Sequence, residues 1–283
     1  MAELTTARCR LCGGLATAAF KKRVLERYDV SYFRCDGCGS LQTEMPYWLD
    51  EAYSIPGVHI DVGGASRTLK NWAALSTLLG RLSFSRDAVA LDFGAASGLL
   101  GRLMRDVGYN FYSYDKYARP AFTSYYNVDE IEHIKPKLVT AFEVFEHFSE
   151  PNIELNRLLS LGAPLVVFTT WFCDNQDEDW VYFIPECGQH VFFYSERAMR
   201  DLAARYGYKL QSSAFFHYLS KPPMLSDAQN QILDDFALQG ATWARDEIGD
   251  LVASVWLSNQ HIEADFENAR LMFLAERQKA SAG

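Results

Sequence analysis

The chain has 283 residues, 49% hydrophobic and 22% charged, with a formal net charge of −9 at neutral pH. That length and apolar content suit one sizeable domain with appendages, and the acidic balance argues against broad nucleic-acid binding, which depends on Lys and Arg neutralising phosphates. No uncharged apolar run reaches the ~18 residues of a membrane span, and the polar start Met1–Thr6 has no signal-peptide core, so the expectation is a cytoplasmic protein with a small-molecule partner and no membrane.

Six cysteines in such a chain read as metal ligands or free thiols before disulfides. Four fall in two pairs, Cys9-Arg10-Leu11-Cys12 and Cys35-Asp36-Gly37-Cys38, each followed by glycine. Two such knuckles offer four thiolates that can close a tetrahedral zinc site with no open position for catalysis, so a structural zinc is expected, with a redox C-x-x-C or idle buried thiols as the alternative. The same stretch carries Arg8, Arg10, Lys21, Lys22, Arg23, Arg27 and Arg34, and a hairpin is expected through Phe20 and Tyr32-Phe33. A hinge follows from Thr43 to Gly64, with Pro46, Pro56, Gly57 and Tyr53, and then a helix capped by Ser66 and running to Leu82 on Leu69, Trp72, Leu75, Leu78 and Leu79.

The apolar run Ala88–Leu91 ends in Asp92 and enters the small-residue turn Phe93-Gly94-Ala95-Ala96-Ser97-Gly98. A helix is expected from Leu99 to Val107, since Leu99, Leu100, Leu103, Met104 and Val107 form one stripe and Gly108 stands at its C-cap. Strand, small-residue turn and helix open a nucleotide-type α/β domain, in which a ligand approaches bare backbone at a helix N-terminus. Tyr109–Tyr114 then reads as a strand ending in Asp115, at the distance where such folds place an acid on a ribose. A dinucleotide fingerprint read from Gly94 would require a small residue where Leu99 stands, which disfavours NAD. Read as D-x-G-x-G-x-G, the stretch instead resembles the first motif of class I S-adenosylmethionine-dependent methyltransferases, with Asp92, Gly94 and Gly98 in place and Ala96 replacing the middle glycine. In that family an aromatic residue ahead of the domain often covers the cofactor, a position open to Tyr53.

Further along, Asn127–Ile131 stands where a third strand is expected, and Leu138–Phe142 is a strand opening into Glu143-Val144-Phe145-Glu146-His147. This block resembles the fourth-strand motif of the same methyltransferases, which implies that Phe142 and Glu143 line the cofactor's methionine end and that His147 lies beside it. A helix over Asn152–Leu161 leads to the fully apolar strand Pro164–Thr170, and strands alternating with helices imply a parallel sheet. The aromatic, acidic loop Trp171–Gln189 follows that strand's carboxyl end and reads as substrate wall, flanked by Cys173 and Cys187 as reduced thiols.

Gly188–Ser195 resembles the segment of zinc-containing sugar C-methyltransferases in which a histidine before an aromatic strand and a serine cap serves as general base. The resemblance assigns that role to His190, with His147 as second catalytic candidate; the family places Tyr and Glu close before the histidine, whereas Glu186, Cys187, Gly188 and Gln189 precede it here. Beyond a helix over Glu196–Tyr206 and a strand over Tyr208–His217, Leu251, Val255, Leu257, Ile262 and Phe266 mark amphipathic helix that packs on the domain or pairs two copies, giving a monomer or a homodimer. The expected architecture is a Rossmann-like α/β fold, a mostly parallel sheet with helices on both faces. Its parts are a zinc-knuckle lobe over 1–45, an S-adenosylmethionine-binding domain over 46–220 and a helical extension over 221–283. The expected function is methyl transfer to a small-molecule acceptor, with a sugar or nucleotide-sugar as candidate. The alternatives are a zinc-containing binding module with a degenerate cofactor pocket and an NAD-dependent oxidoreductase.

Overall fold

The computed structural model describes residues 5–54, 61–257 and 262–282. Pro56, Gly57 and His59 of the expected hinge lie outside the described residues, as do His261 and the side chains of Val255 and Leu257. The chain opens with four antiparallel strands, β1 (Thr6–Arg8), β2 (Leu15–Val24), β3 (Tyr28–Cys35) and β4 (Leu41–Thr43). β2 and β3 form the expected hairpin, with a bulge between Ala18 and Phe20, and its buried side carries Val24, Val30 and Tyr32, which cluster with Leu41 of β4 and Trp48.

After α1 (Leu49–Ser54) and α2 (Gly64–Arg81) comes the second sheet. Its parallel core is β5 (Ala90–Phe93), β6 (Phe111–Tyr114), β7 (Leu138–Phe142) and β8 (Leu165–Thr169), interleaved with α3 (Leu99–Asp106) and α4 (Pro151–Ser160). Alternate side chains of these strands enter opposite cores: Leu91, Val139, Val166 and Phe168 face α4, while Ala90, Leu138, Leu165 and Val167 face α2 and α3. That two-sided burial is why the strands are mostly apolar, with Asp92, Ser113 and Thr140 as buried polar exceptions. The short β9 (Phe192–Phe193) leaves this region and pairs antiparallel with β4, completing the first sheet.

Three local expectations need correction. Asn127–Ile131 forms no third strand; Asn127 makes one isolated parallel bridge to Ser113 and Ile131 begins a 3-10 turn. The single late strand is a hairpin, β10 (Lys209–Ser212) and β11 (His217–Ser220), turned by the Ser213 N–H donating to the Phe216 carbonyl at 2.9 Å. Ser66 does not cap α2, whose N-cap is Gly63 without a side-chain bond. By contrast, Ser195 caps α5 (Glu196–Arg205), its Oγ accepting from the Ala198 N–H at 3.0 Å.

The completed sheet has the order β10-β11-β8-β7-β5-β6, with β11 antiparallel to β8. The long α6 (Asp227–Leu257) packs on α2, where the Arg81 guanidinium lies 3.8 Å from the Trp243 ring centroid. From α7 (Ile262–Ala282), Asp265 reaches back to Arg105 on α3 at 2.6 Å. Among the described residues no helix is long and apolar enough to cross a membrane.

Candidate functional site

Because β5 is flanked by β6 on one side and β7 on the other, the strand order reverses there, and three loops open at the same carboxyl edge. Open α/β sheets bind ligands at such a point. The loop after β5 needs left-handed backbone at Gly94 (φ 73°), Ala96 (φ 47°) and Gly98 (φ 78°). A side chain at Gly94 would meet Val144 at 2.5 Å, and one at Gly98 would meet Thr123 at 2.3 Å, so bare backbone at both positions is a packing requirement. Gly98 then starts α3, whose first N–H groups have no intrahelical partner.

Asp115 closes the next loop. Its Oδ2 accepts from the Ala96 N–H at 2.8 Å, and its Oδ1 from the N–H groups of Tyr117 (2.8 Å) and Ala118 (2.7 Å). A carboxylate offers about four lone-pair sites, so acceptor capacity remains beside the glycine turn for a hydroxyl. Glu143, after β7, has left-handed backbone (φ 54°), and burial followed by the nearby Glu146 raises its carboxyl. A strained non-glycine residue of this kind is common at ligand sites. Phe142 leans toward the other core, its ring 6.0 Å from Phe216.

Asp92, at the end of β5, is 3% exposed and accepts from the Thr140 hydroxyl at 2.7 Å. Burial pushes its carboxyl up to about 7. A folded-state value above the unfolded one stabilises below the unfolded value and loses that contribution as pH rises through about 7. Asp92→Asn is therefore expected to match the parent near pH 4 and to melt at progressively higher temperature than the ligand-free parent as the pH rises to 8. Parallel melting curves of the two proteins across that range would refute the assignment.

The third loop brings the two candidate histidines together. The ring centroids of His147 and His190 lie 4.9 Å apart, nearly perpendicular, and their nitrogens and a Glu146 oxygen fall within 4.8 Å of one another. The His190 Nδ1 lies 2.6 Å from the Tyr182 carbonyl, which can only accept, so the proton sits on Nδ1 and Nε2 is bare. Tyr182 donates its hydroxyl to Glu146 Oε1 at 2.6 Å, while Glu146 Oε2 is buried without a partner among the described residues. His147 bonds to the Gln189 backbone and faces the Tyr53 hydroxyl across 3.4 Å; burial, then His190, pushes it down to about 3. Each His147 nitrogen thus faces a partner within the protein, and one carboxylate and two imidazoles converge at the site.

Tyr53 joins the two halves of the site: its ring stacks on Tyr117, two residues past Asp115, at 4.7 Å and 12°. The sequence reading missed Tyr182 and Glu146, a hydrogen-bonded tyrosine and carboxylate beside His190, whereas Glu186 in the stretch before that histidine is exposed. Glu146 stands in the recognised motif directly before His147, and that adjacency was the available signal. Elsewhere, His133 pairs with Glu130 on the surface, and both His217 nitrogens face partners, Ser212 and Thr170.

The four cysteines of the first sheet converge as well. Cys9 and Cys38 sulfurs are 3.8 Å apart and those of Cys12 and Cys35 3.5 Å, close to the edge of a tetrahedron with ~2.3 Å metal–sulfur bonds. Backbone N–H groups of Gly14 and Cys38 point at the sulfurs of Cys12 and Cys35, each at 3.4 Å. This donor set fits zinc.

A family model described as a methyltransferase domain matches residues 66–213, just over half of the chain. The chain belongs to that family. It is an enzyme, a methyltransferase, and the reaction class is thereby methyl transfer and not nicotinamide-dependent oxidation. Among solved structures it is similar to the magnesium protoporphyrin IX methyltransferase of Synechocystis with bound S-adenosylmethionine (14% identity, 58% of this chain and 83% of that one, TM-score 0.40). It is also similar to a plantazolicin methyltransferase (12% identity, 72% and 88%, TM-score 0.47) and to human N-acetylserotonin methyltransferase (11% identity, 62% and 59%, TM-score 0.43). No curated protein matches the chain.

Proposed function

We propose that this methyltransferase carries the methyl group of S-adenosylmethionine to a small-molecule acceptor, a sugar or nucleotide-sugar, and that His190 takes the acceptor's proton. The reading rests on one observation: His190, with its Nδ1 on the Tyr182 carbonyl and Glu146 nearby, packs on His147, which faces Tyr53, whose ring stacks on Tyr117 two residues past Asp115. When bound, the cofactor supplies a methyl group activated on a sulfonium. The N-terminus of α3 and the backbone of Gly94, Ala96 and Gly98 would hold its carboxylate and methionine end, Asp115 its ribose, and Phe142 and Glu143 the rim. Asp92 supports the turn from beneath.

His190 keeps its Nδ1 proton on the Tyr182 carbonyl and accepts the departing acceptor proton at Nε2. Glu146 offsets the charge that then develops on the ring, and Tyr182 orients Glu146. His147, held neutral, keeps the second positive charge away from the pair. Trp171, 53% exposed and stacked on Tyr182 at 5.1 Å, gives the acceptor an aromatic face of the kind sugar rings rest on. Cys9, Cys12, Cys35 and Cys38 hold a structural zinc that fixes the first sheet.

Calorimetric titration tests the cofactor assignment without knowledge of the acceptor. S-adenosylmethionine is expected to bind the parent, and Asp115→Ala to weaken it at least about tenfold, since a hydrogen bond to a charged group contributes roughly 1.5–3 kcal/mol. Unchanged affinity in a well-folded Asp115→Ala protein would put the cofactor elsewhere.

A further inference from the structure

Arg10 stands inside the first cysteine pair, and its guanidinium reaches carbonyls of residues 43, 149 and 191. One guanidinium nitrogen donates to the Val191 carbonyl at 2.6 Å and to the Thr43 carbonyl at 3.1 Å. The other terminal nitrogen donates to the Ser149 carbonyl at 3.1 Å. Val191 follows His190 directly, and Ser149 lies two residues past His147. The two histidine-bearing segments are themselves joined by the Val191 N–H donating to the Glu146 carbonyl at 2.9 Å. One planar group thus grips both segments that carry the candidate catalytic histidines.

Its own position is fixed by the knuckle. The Arg10 N–H donates to Gln42 Oε1 at 2.8 Å, and Gln42 Nε2 donates to the Arg8 carbonyl at 3.0 Å, so the amide of Gln42 clamps the backbone on either side of Cys9. The guanidinium also lies 5.8 Å from the Phe192 ring centroid, on the residue that begins β9. Its buried Nε has no partner among the described residues. A buried donor left unpaired is unfavourable, and it is tolerated here alongside two divergent grips that a single-point lysine ammonium cannot reproduce.

We propose that Arg10 is a positioning residue through which the four-cysteine knuckle sets the orientation of the His147–His190 pair. The proposal rests on the reading of His190 as the base. Without the guanidinium, Val191 and Ser149 lose their common anchor, and the Tyr182 carbonyl and His190 Nδ1 no longer hold one relative position. A mixture of ring tautomers would follow, together with slower proton removal.

The test compares Arg10→Lys and Arg10→Met with the parent by ¹⁵N-histidine NMR, the His190 signals being assigned from their loss in His190→Gln. In the parent, His190 is expected as the Nδ1–H tautomer alone. In both variants the expected result is a shift toward averaged tautomers, with zinc content unchanged and S-adenosylmethionine affinity within about twofold; where an acceptor has been found, kcat falls at least about tenfold more than KM changes. An unaltered His190 tautomer in the folded Arg10→Lys protein would overturn the proposal. So would joint loss of zinc, cofactor affinity and tautomer, which marks Arg10 as general scaffold. Full turnover in His190→Gln would instead refute the base reading, and the ring signals of the arginine variants would still report on Arg10.

Discussion

Cys35→Ser/Cys38→Ser is expected to lose its zinc and to lower the stability of the whole protein, with a fall in Tm of more than about 10 °C. Zinc binding to small knuckle domains contributes apparent free energies of roughly 10–16 kcal/mol, and in a chain of this size each kcal/mol moves Tm by about 2–4 °C. The loss would be smaller than the full binding energy, because this lobe also buries Phe33, Leu41 and Trp48. It would still spread beyond the lobe. The Ser195 hydroxyl that caps α5 makes a short bond to the Cys38 carbonyl, and Arg197 donates to the Gly37 carbonyl at 2.6 Å. Elemental analysis gives the decisive reading: about one zinc per chain in the parent, and less than about 0.2 in the variant. Parent protein purified without chelator and carrying less than that, or a variant keeping its metal, would defeat the zinc assignment.

The second large effect concerns His190. His190→Ala or His190→Asn is expected to lower turnover by about 100-fold or more while leaving S-adenosylmethionine affinity within about twofold, since general-base help is typically worth 10²–10⁴-fold. His190 touches the ring of Tyr182 and, more distantly, Phe193, so a packing role must be separated from a chemical one. Melting temperature, cofactor affinity and methyl transfer measured on the same variant do so. Full activity in a well-folded His190→Ala protein would pass the role to His147 or Tyr194. The second of these is the weaker successor, because its hydroxyl donates to the Phe145 carbonyl at 3.0 Å and is deeply buried.

What could be read from the chain is what local chemistry enforces. The turn after Asp92 announced itself because left-handed backbone at Gly94 and Gly98 excludes side chains, and the cap at Ser195 because its hydroxyl has an N–H to satisfy three residues on. The cysteine pairs were legible for the same reason, since each knuckle is built within four residues. The hairpin after α5 was hidden: its turn through Ser213 and Phe216 has no Asn-Gly or Asp-Gly signal, and the aromatic run continues across it. The missing third strand has a local cause: Asn127, Asp129 and Glu130 disfavour strand, and the segment makes only the single bridge to Ser113 among the described residues. Tyr182 and Glu146 escaped for a different cause. They are 36 residues apart in sequence and meet only because the chain returns from the acidic loop to pair Val191 with Glu146.

The strand exchange between the two sheets also sets an order of events during synthesis. All four cysteines have emerged by residue 38, and β4 by residue 43, whereas its partner β9 is made about 150 residues later. At roughly 5–20 residues per second, that is a delay on the order of 8–30 s. For that interval the hydrogen-bonding edge of Leu41–Thr43 has no strand to cover it, and an open strand edge is a template for pairing with another chain. The nascent lobe is thus a half-closed sheet that depends on whatever shields one short edge until Phe192 arrives.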